Sequence, residues 1–145
     1  MRKRTLAREF ALQLLYQLDI TKEPAEIALE NFWLVRNEES IDEDLKKFTG
    51  KLVGGVIFYL DEIDKKISQY AQNWQLKRMA VVDRNIMRMG TFELLYVDDI
   101  PPKVSINEAV DLAKKYGDVE SGKFVNGILD KINKKEATAK NEQTG

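Results

Sequence analysis

Apolar side chains recur every three or four positions along most of this chain, a spacing that predicts helices. Leu6, Phe10, Leu14 and Leu18 stand four apart, with Ala7, Ala11 and Leu15 beside them. They form one broad stripe and predict a first helix from about Thr5 to Asp19. Pro24 suits the first position of a second helix that carries Ile27, Phe32, Trp33 and Leu34. The longest run is Leu45, Phe48, Leu52, Val56, Leu60, Ile63, Ile67 and Tyr70. As one continuous helix its roughly 28 residues would span about 42 Å. Gly50, Gly54 and Gly55 weaken that helix by up to about 1 kcal/mol each relative to alanine. Close packing of a neighbouring helix, rather than a hinge, is their expected purpose.

The second half continues the pattern. Trp74 to Met79 is expected to hold a short helical turn. A helix from Asp83 to about Val97 is apolar almost all round, which predicts a central place in the bundle. Its one polar strip carries Arg84, Arg88 and Thr91, read either as a phosphate-binding pair of guanidiniums or as a solvated edge. Pro101 and Pro102 stop it. Ser105 and Glu108 have capping-box spacing for the next helix, which is expected to end at Tyr116 with Gly117 in a left-handed stop. The last helix runs from about Ser121 to Lys134 with Phe124, Val125, Ile128, Leu129 and Ile132 inward. Residues 136–145 are polar and unpatterned, and a disordered tail is expected there. No run alternates as a strand would, so the fold class is all-α.

The chain has 145 residues, enough for a single domain with its own core. It holds neither histidine nor cysteine, which removes disulfides, thiol nucleophiles, Cys/His zinc sites and histidine-dependent triads. Asp98 and Asp99 read as a solvated helix stop rather than a magnesium site, and neither Gly54-Gly55 nor Gly122-Lys123 makes a phosphate loop. Catalysis is therefore not expected, and no cofactor is. No apolar run approaches the roughly 18 residues that span a bilayer, so the expected setting is the cytoplasm and not a membrane.

Net charge is −1, from 23 basic and 24 acidic side chains, which excludes a uniformly basic nucleic-acid binder. The distribution is uneven. Arg2, Lys3, Arg4 and Arg8 precede the first acid, Glu9, whereas residues 23–44 hold eight acids and the single base Arg36. A basic arm entering a helix is suited to phosphates, and Arg4 and Arg8 share a helix face. Tyr16 lies about 170° from the centre of the apolar stripe, which marks it either as a partner contact or as packing for a second layer of helices.

The most specific features are two long motifs. Residues 100–117 read IPPKVSINEAVDLAKKYG, and residues 123–131 read KFVNGILDK. Together they closely resemble the C-terminal signature of the NusB transcription antitermination family. Arg8-Glu9 with residues 11–16, and residues 82–89 with 92–94, resemble the first and central helices of that family. The resemblance spans the chain apart from about 20–45 and the tail. It implies about seven helices in two packed bundles, with halves of about 1–72 and 73–135. It also implies binding without catalysis: the single-stranded boxA element of ribosomal RNA leaders, held together with the ribosomal protein NusE, in an RNA polymerase complex that resists termination. By the same resemblance Arg2, Lys3, Arg4, Arg8, Gln13, Arg88, Lys123 and Phe124 would face RNA. Tyr16, Lys77 and Asp83 would face the partner protein, and Glu120 stands where the family often carries an acid before its last helix. The resemblance leaves both a monomer and a homodimer open, and the rival reading is a helical protein-interaction scaffold that makes no use of RNA.

Overall fold

The computed structural model describes residues 2–36, 41–72 and 75–137. Among the described residues there are seven α-helices, one short 3-10 turn, a closing π turn and no strand. The chain divides into two compact units, Met1–Phe58 and Tyr59–Gly145.

The first unit holds α1 (Lys3–Thr21), α2 (Ala25–Val35) and α3 (Glu43–Phe58). Ala7, Ala11 and Leu14 of α1 are fully buried, as are Leu52, Val53 and Val56 of α3. The small alanines let the two helices approach closely. The Thr49 hydroxyl bridges them, donating to the Leu45 carbonyl at 2.8 Å and lying 3.4 Å from that of Ala7. Lys22 closes α1 in the left-handed conformation (φ 60°), its N–H donating to the Leu18 carbonyl. Pro24 precedes α2 with extended backbone, so the helix begins one residue later than its sequence suggests. Phe10, Phe32 and Trp33 pack edge to face with ring centroids 5.0 to 5.8 Å apart.

The long helix expected over residues 45–70 is interrupted. α3 ends at Phe58, Tyr59 takes φ −100° and ψ 19°, and α4 (Leu60–Tyr70) begins immediately after. At the break the Tyr59 ring stacks on Tyr96 with centroids 3.8 Å apart and planes 9° from parallel. Gly50 and Gly54 do not pack closely as expected: a Cβ at either would meet nothing within 4 Å.

The second unit comprises α4, the 3-10 turn (Leu76–Arg78), α5 (Val81–Tyr96), α6 (Pro102–Tyr116), α7 (Ser121–Ile132) and the π turn (Asn133–Ala137). α5 packs against α4, α6 and α7, the central place its composition predicts. Gly90 permits the approach to α7, since a Cβ there would lie 2.7 Å from Leu129 Cδ1.

Three local expectations are corrected. Ser105 caps nothing: α6 starts at Pro102 behind Pro101, and the buried Ser105 hydroxyl donates to Glu93 Oε1 of α5 at 2.9 Å. Gly117 is not left-handed (φ −92°, ψ −166°); its bareness is needed because a Cβ would strike the Ser121 side chain and lie 2.7 Å from the Ala113 carbonyl. Glu136 is anchored, ion-paired to Lys66 and accepting from the Tyr70 hydroxyl at 2.9 Å. The remainder of the expected tail, residues 138–145, lies outside the described residues, as does Trp74. No helix among the described residues is long and apolar enough to cross a membrane.

Candidate RNA interface

In the first unit the basic arm starts from Arg2, which is exposed and extended, its carbonyl accepting from the Leu6 N–H at the start of α1. Lys3 reaches the acidic start of α3, with Nζ 2.7 Å from Asp42 just before the helix and 3.8 Å from Asp44 in its first turn. The hydrogen bond and charge of Asp42 raise the Lys3 pKa, and the same contact lowers that of Asp42. Arg4 is exposed and lies over the Phe48 ring at 4.5 Å.

Arg8 departs from the expectation of a solvent-facing guanidinium. It is only 2% exposed and stands 5.3 Å from the centre of the same Phe48 ring. Phe48 of α3 is one of the neighbours that stand in place of water around the Arg8 guanidinium. Arg8 therefore shares the ring that positions Arg4. Gln13 is exposed and accepts from Arg36 Nη2 at 2.6 Å. Arg36 in turn lies over Phe32 at 4.1 Å. Tyr16 is 41% exposed.

Between α1 and α3 the structure shows a groove of about 430 Å³ lined by Lys3, Arg4, Asp44, Lys47, Phe48 and Lys51. The motifs did not single out Lys47 and Lys51. The signal available in the sequence was their four-residue spacing on the polar side of the α3 pattern.

In the second unit, Arg88 and Asp83 are sheltered in the same way as Arg8. Each is 9% exposed. Arg88 does not face solvent as a phosphate ligand, because Nε and Nη2 grip Asp64 of α4 at 2.8 and 3.0 Å, and Nη1 lies 3.3 Å from Asn85 Oδ1. An internal carboxylate satisfies the guanidinium that RNA was expected to satisfy. Elsewhere on that strip, Arg84 is half-buried and donates to the Leu76 carbonyl at 3.3 Å, and Thr91 is fully buried.

Asp83 lines a small pocket of about 200 Å³ with Arg78, Asp118, Glu120, Ser121 and Phe124. The single proton of the Ser121 hydroxyl is within reach of Asp83 Oδ2 at 3.1 Å and Asp118 Oδ1 at 3.2 Å. Asp83 Oδ1 has no hydrogen-bond partner. Burial raises the Asp83 pKa, the Asp118 charge adds to the rise, and the Ser121 hydrogen bond opposes it. Phe124, expected inward, is half-buried at the pocket wall beside the exposed Lys123, while Lys77 is exposed on the 3-10 turn.

These features can neutralise phosphates and accept hydrogen bonds. Among the described residues, no cluster of three or more metal-ligating side chains is placed to hold a metal ion.

Comparison with known proteins follows the same lines. A family-wide sequence profile, described as the NusB family, matches residues 5–134. The transcription antitermination protein NusB of Myxococcus xanthus is 49% identical over 133 residues, covering 91% of this chain and 95% of the relative. The protein of the same name from Thermodesulfovibrio yellowstonii is 44% identical over 142 residues, covering 92% and 93%. Among solved structures, NusB of T. maritima is similar with a TM-score of 0.86 at 39% identity, over 97% of this chain and 96% of that one. A chain from a crystal structure of the antitermination factors NusB and NusE in complex with dsRNA is similar with a TM-score of 0.82 at 33% identity, over 92% and 98%.

Proposed function

The chain belongs to the NusB family, and from that membership we propose that it is a transcription antitermination factor that binds boxA RNA of ribosomal RNA leaders together with NusE. It works by binding rather than catalysis, and it delivers the RNA to a transcribing RNA polymerase complex in the cytoplasm. The observation that carries this reading is chain-long similarity to antitermination proteins, one of them solved with NusE and dsRNA. The basic start of α1 supplies the chemistry such a role needs.

Arg2, Lys3 and Arg4 contact phosphates and position the strand, a salt-dependent and largely sequence-independent contribution. Arg8 acts behind them by sharing the Phe48 ring with Arg4. Gln13 extends this surface of the first unit. In the second unit Lys123 and Phe124 offer a cation and a half-buried aromatic face to a splayed base, and Arg88 positions α5 against α4 from within. Tyr16, Lys77 and Asp83 serve the partner protein, with Asp83 Oδ1 available to a donor. NusE adds a second RNA-contacting surface, and the joined pair gains affinity through effective concentration.

A titration of labelled boxA RNA, with and without NusE and against a scrambled RNA, tests the reading. Preference for boxA and tighter binding with NusE are expected. Equal binding of scrambled RNA, or no gain from the partner, overturns it.

A further inference from the structure

The groove between α1 and α3 is lined by four cations against the single carboxylate of Asp44. Two of those cations, Lys47 and Lys51, come from α3 and not from the arm. They are exposed and one helical turn apart, so they project from one face. Gly50 and Gly54 continue the same stripe at the three- and four-residue spacing. Both glycines cost helix stability, and neither is required by internal packing, since a Cβ at either would meet open space. A stripe reading lysine, glycine, lysine, glycine is positive and smooth, which suits close approach of a charged chain from outside. Phe48 forms the groove floor but is not an open stacking platform, because Arg4 covers its ring at 4.5 Å. The groove therefore favours backbone over bases.

We propose that the α1–α3 groove is a second RNA-backbone site, in which Lys47 and Lys51 hold phosphates of the strand that the α1 arm engages. This rests on the RNA-binding reading above and extends the track from α1 onto α3. The ion pair from Lys3 to Asp42 sits at the arm end of the groove. RNA phosphates replace those carboxylates as the neighbours of the ammonium.

The test compares the salt dependence of boxA RNA binding, with NusE present, for the wild-type chain, Lys47→Gln/Lys51→Gln and a control, Lys65→Gln/Lys131→Gln. The control removes the same charge from exposed positions on α4 and α7. The groove variant is expected to lose affinity at low salt and to flatten the slope of log K against log salt by about 1.4, or about 0.7 for each phosphate no longer held, with the control slope unchanged. Equal flattening in both variants overturns the proposal, because net charge alone then explains the effect. An unchanged slope in the groove variant also overturns it, as does weakened binding to NusE without RNA, which makes the groove a protein face. A wild-type chain that prefers boxA while the groove variant keeps its full slope sinks this inference alone. A wild-type chain without preference sinks the underlying reading.

Discussion

Arg88 of α5 and Asp64 of α4 form a two-pronged ion pair, with Nε to Oδ1 at 2.8 Å and Nη2 to Oδ2 at 3.0 Å. The Arg88 side chain is 11% exposed and that of Asp64 is 25% exposed. A pair this sheltered is costly to break from one side, because the remaining charge keeps its burial and loses its partner. Arg88→Ala is expected to destabilise the chain by about 3 kcal/mol, and Arg88→Lys by less, since lysine keeps the charge but not the fork. Chemical denaturation measures both. Full stability in Arg88→Ala, with a loss confined to RNA binding, contradicts an internal role.

Phe48 carries two guanidiniums, and a leucine there keeps the apolar volume while removing the ring face. Phe48→Leu is expected to cost about 0.5–1 kcal/mol for each of the two cation–π interactions it removes, and to lower RNA affinity severalfold through a less ordered Arg4. Urea denaturation and RNA titration check the two effects. Unaltered RNA affinity would mean that Arg4 needs no such support.

The close approach of α5 and α7 rests on the bare Cα of Gly90. Gly90→Ala places a methyl against the end of Leu129, and overpacking of this kind costs about 1–3 kcal/mol. Shortening Leu129 to valine in the same chain should return part of that loss. Thermal melts of the single and double variants decide whether the two positions are coupled.

The ion pair that anchors the end of the described chain depends on pH. The Lys66 hydrogen bond lowers the Glu136 pKa in the folded chain, and Glu136 raises that of Lys66. For Glu136 the contribution is present above its ordinary value of 4.5 and is lost as pH falls through the lowered value. For Lys66 it is present below 10.5 and is lost as pH rises through the raised value. Amide protection around residues 133–137 should therefore be highest at neutral pH and fall toward acid. Glu136→Gln should show reduced protection throughout. Identical exchange in the variant would remove the anchor.

The helices were legible because their apolar stripes repeat at three and four residues, and burial of those stripes is what folds them. The break at Tyr59 was not: it coincides with stacking on Tyr96, a residue 37 positions away in sequence. The same limit applies to charge. A helical wheel identifies Arg8 and Arg88 as cations, but it carries no information about neighbours from other helices, Phe48 and Asp64 among them. Ser105 shows the converse: its local spacing to Glu108 matches a cap, yet Glu93 on another helix takes the hydroxyl. Arg2, Lys123 and Tyr16, by contrast, are exposed, as a surface role requires.

Asp83 joins that buried polar set at the pocket of α5 and α7, and its burial predicts a pH dependence of stability. Its pKa is raised from 3.8, chiefly by burial, so the folded chain keeps the proton to higher pH than the unfolded chain does. Between those values the folded state binds more protons, and stability falls as pH rises. At neutral pH the charge is an uncompensated cost, because Oδ1 has no partner and the one Ser121 proton is within reach of both Asp83 and Asp118. Asp83→Asn keeps an acceptor for Ser121 and removes the charge. It is expected to raise stability at pH 7 by about 1 kcal/mol, or a few degrees in Tm. The two stability curves should converge as pH falls below the ordinary carboxylate range. If NusE uses the unpartnered oxygen, the same variant should bind NusE more weakly while folding more firmly. Melting curves across pH, paired with NusE binding at pH 7, separate the two effects. A variant that loses stability at pH 7 would mean that the Asp83 charge is compensated within the fold.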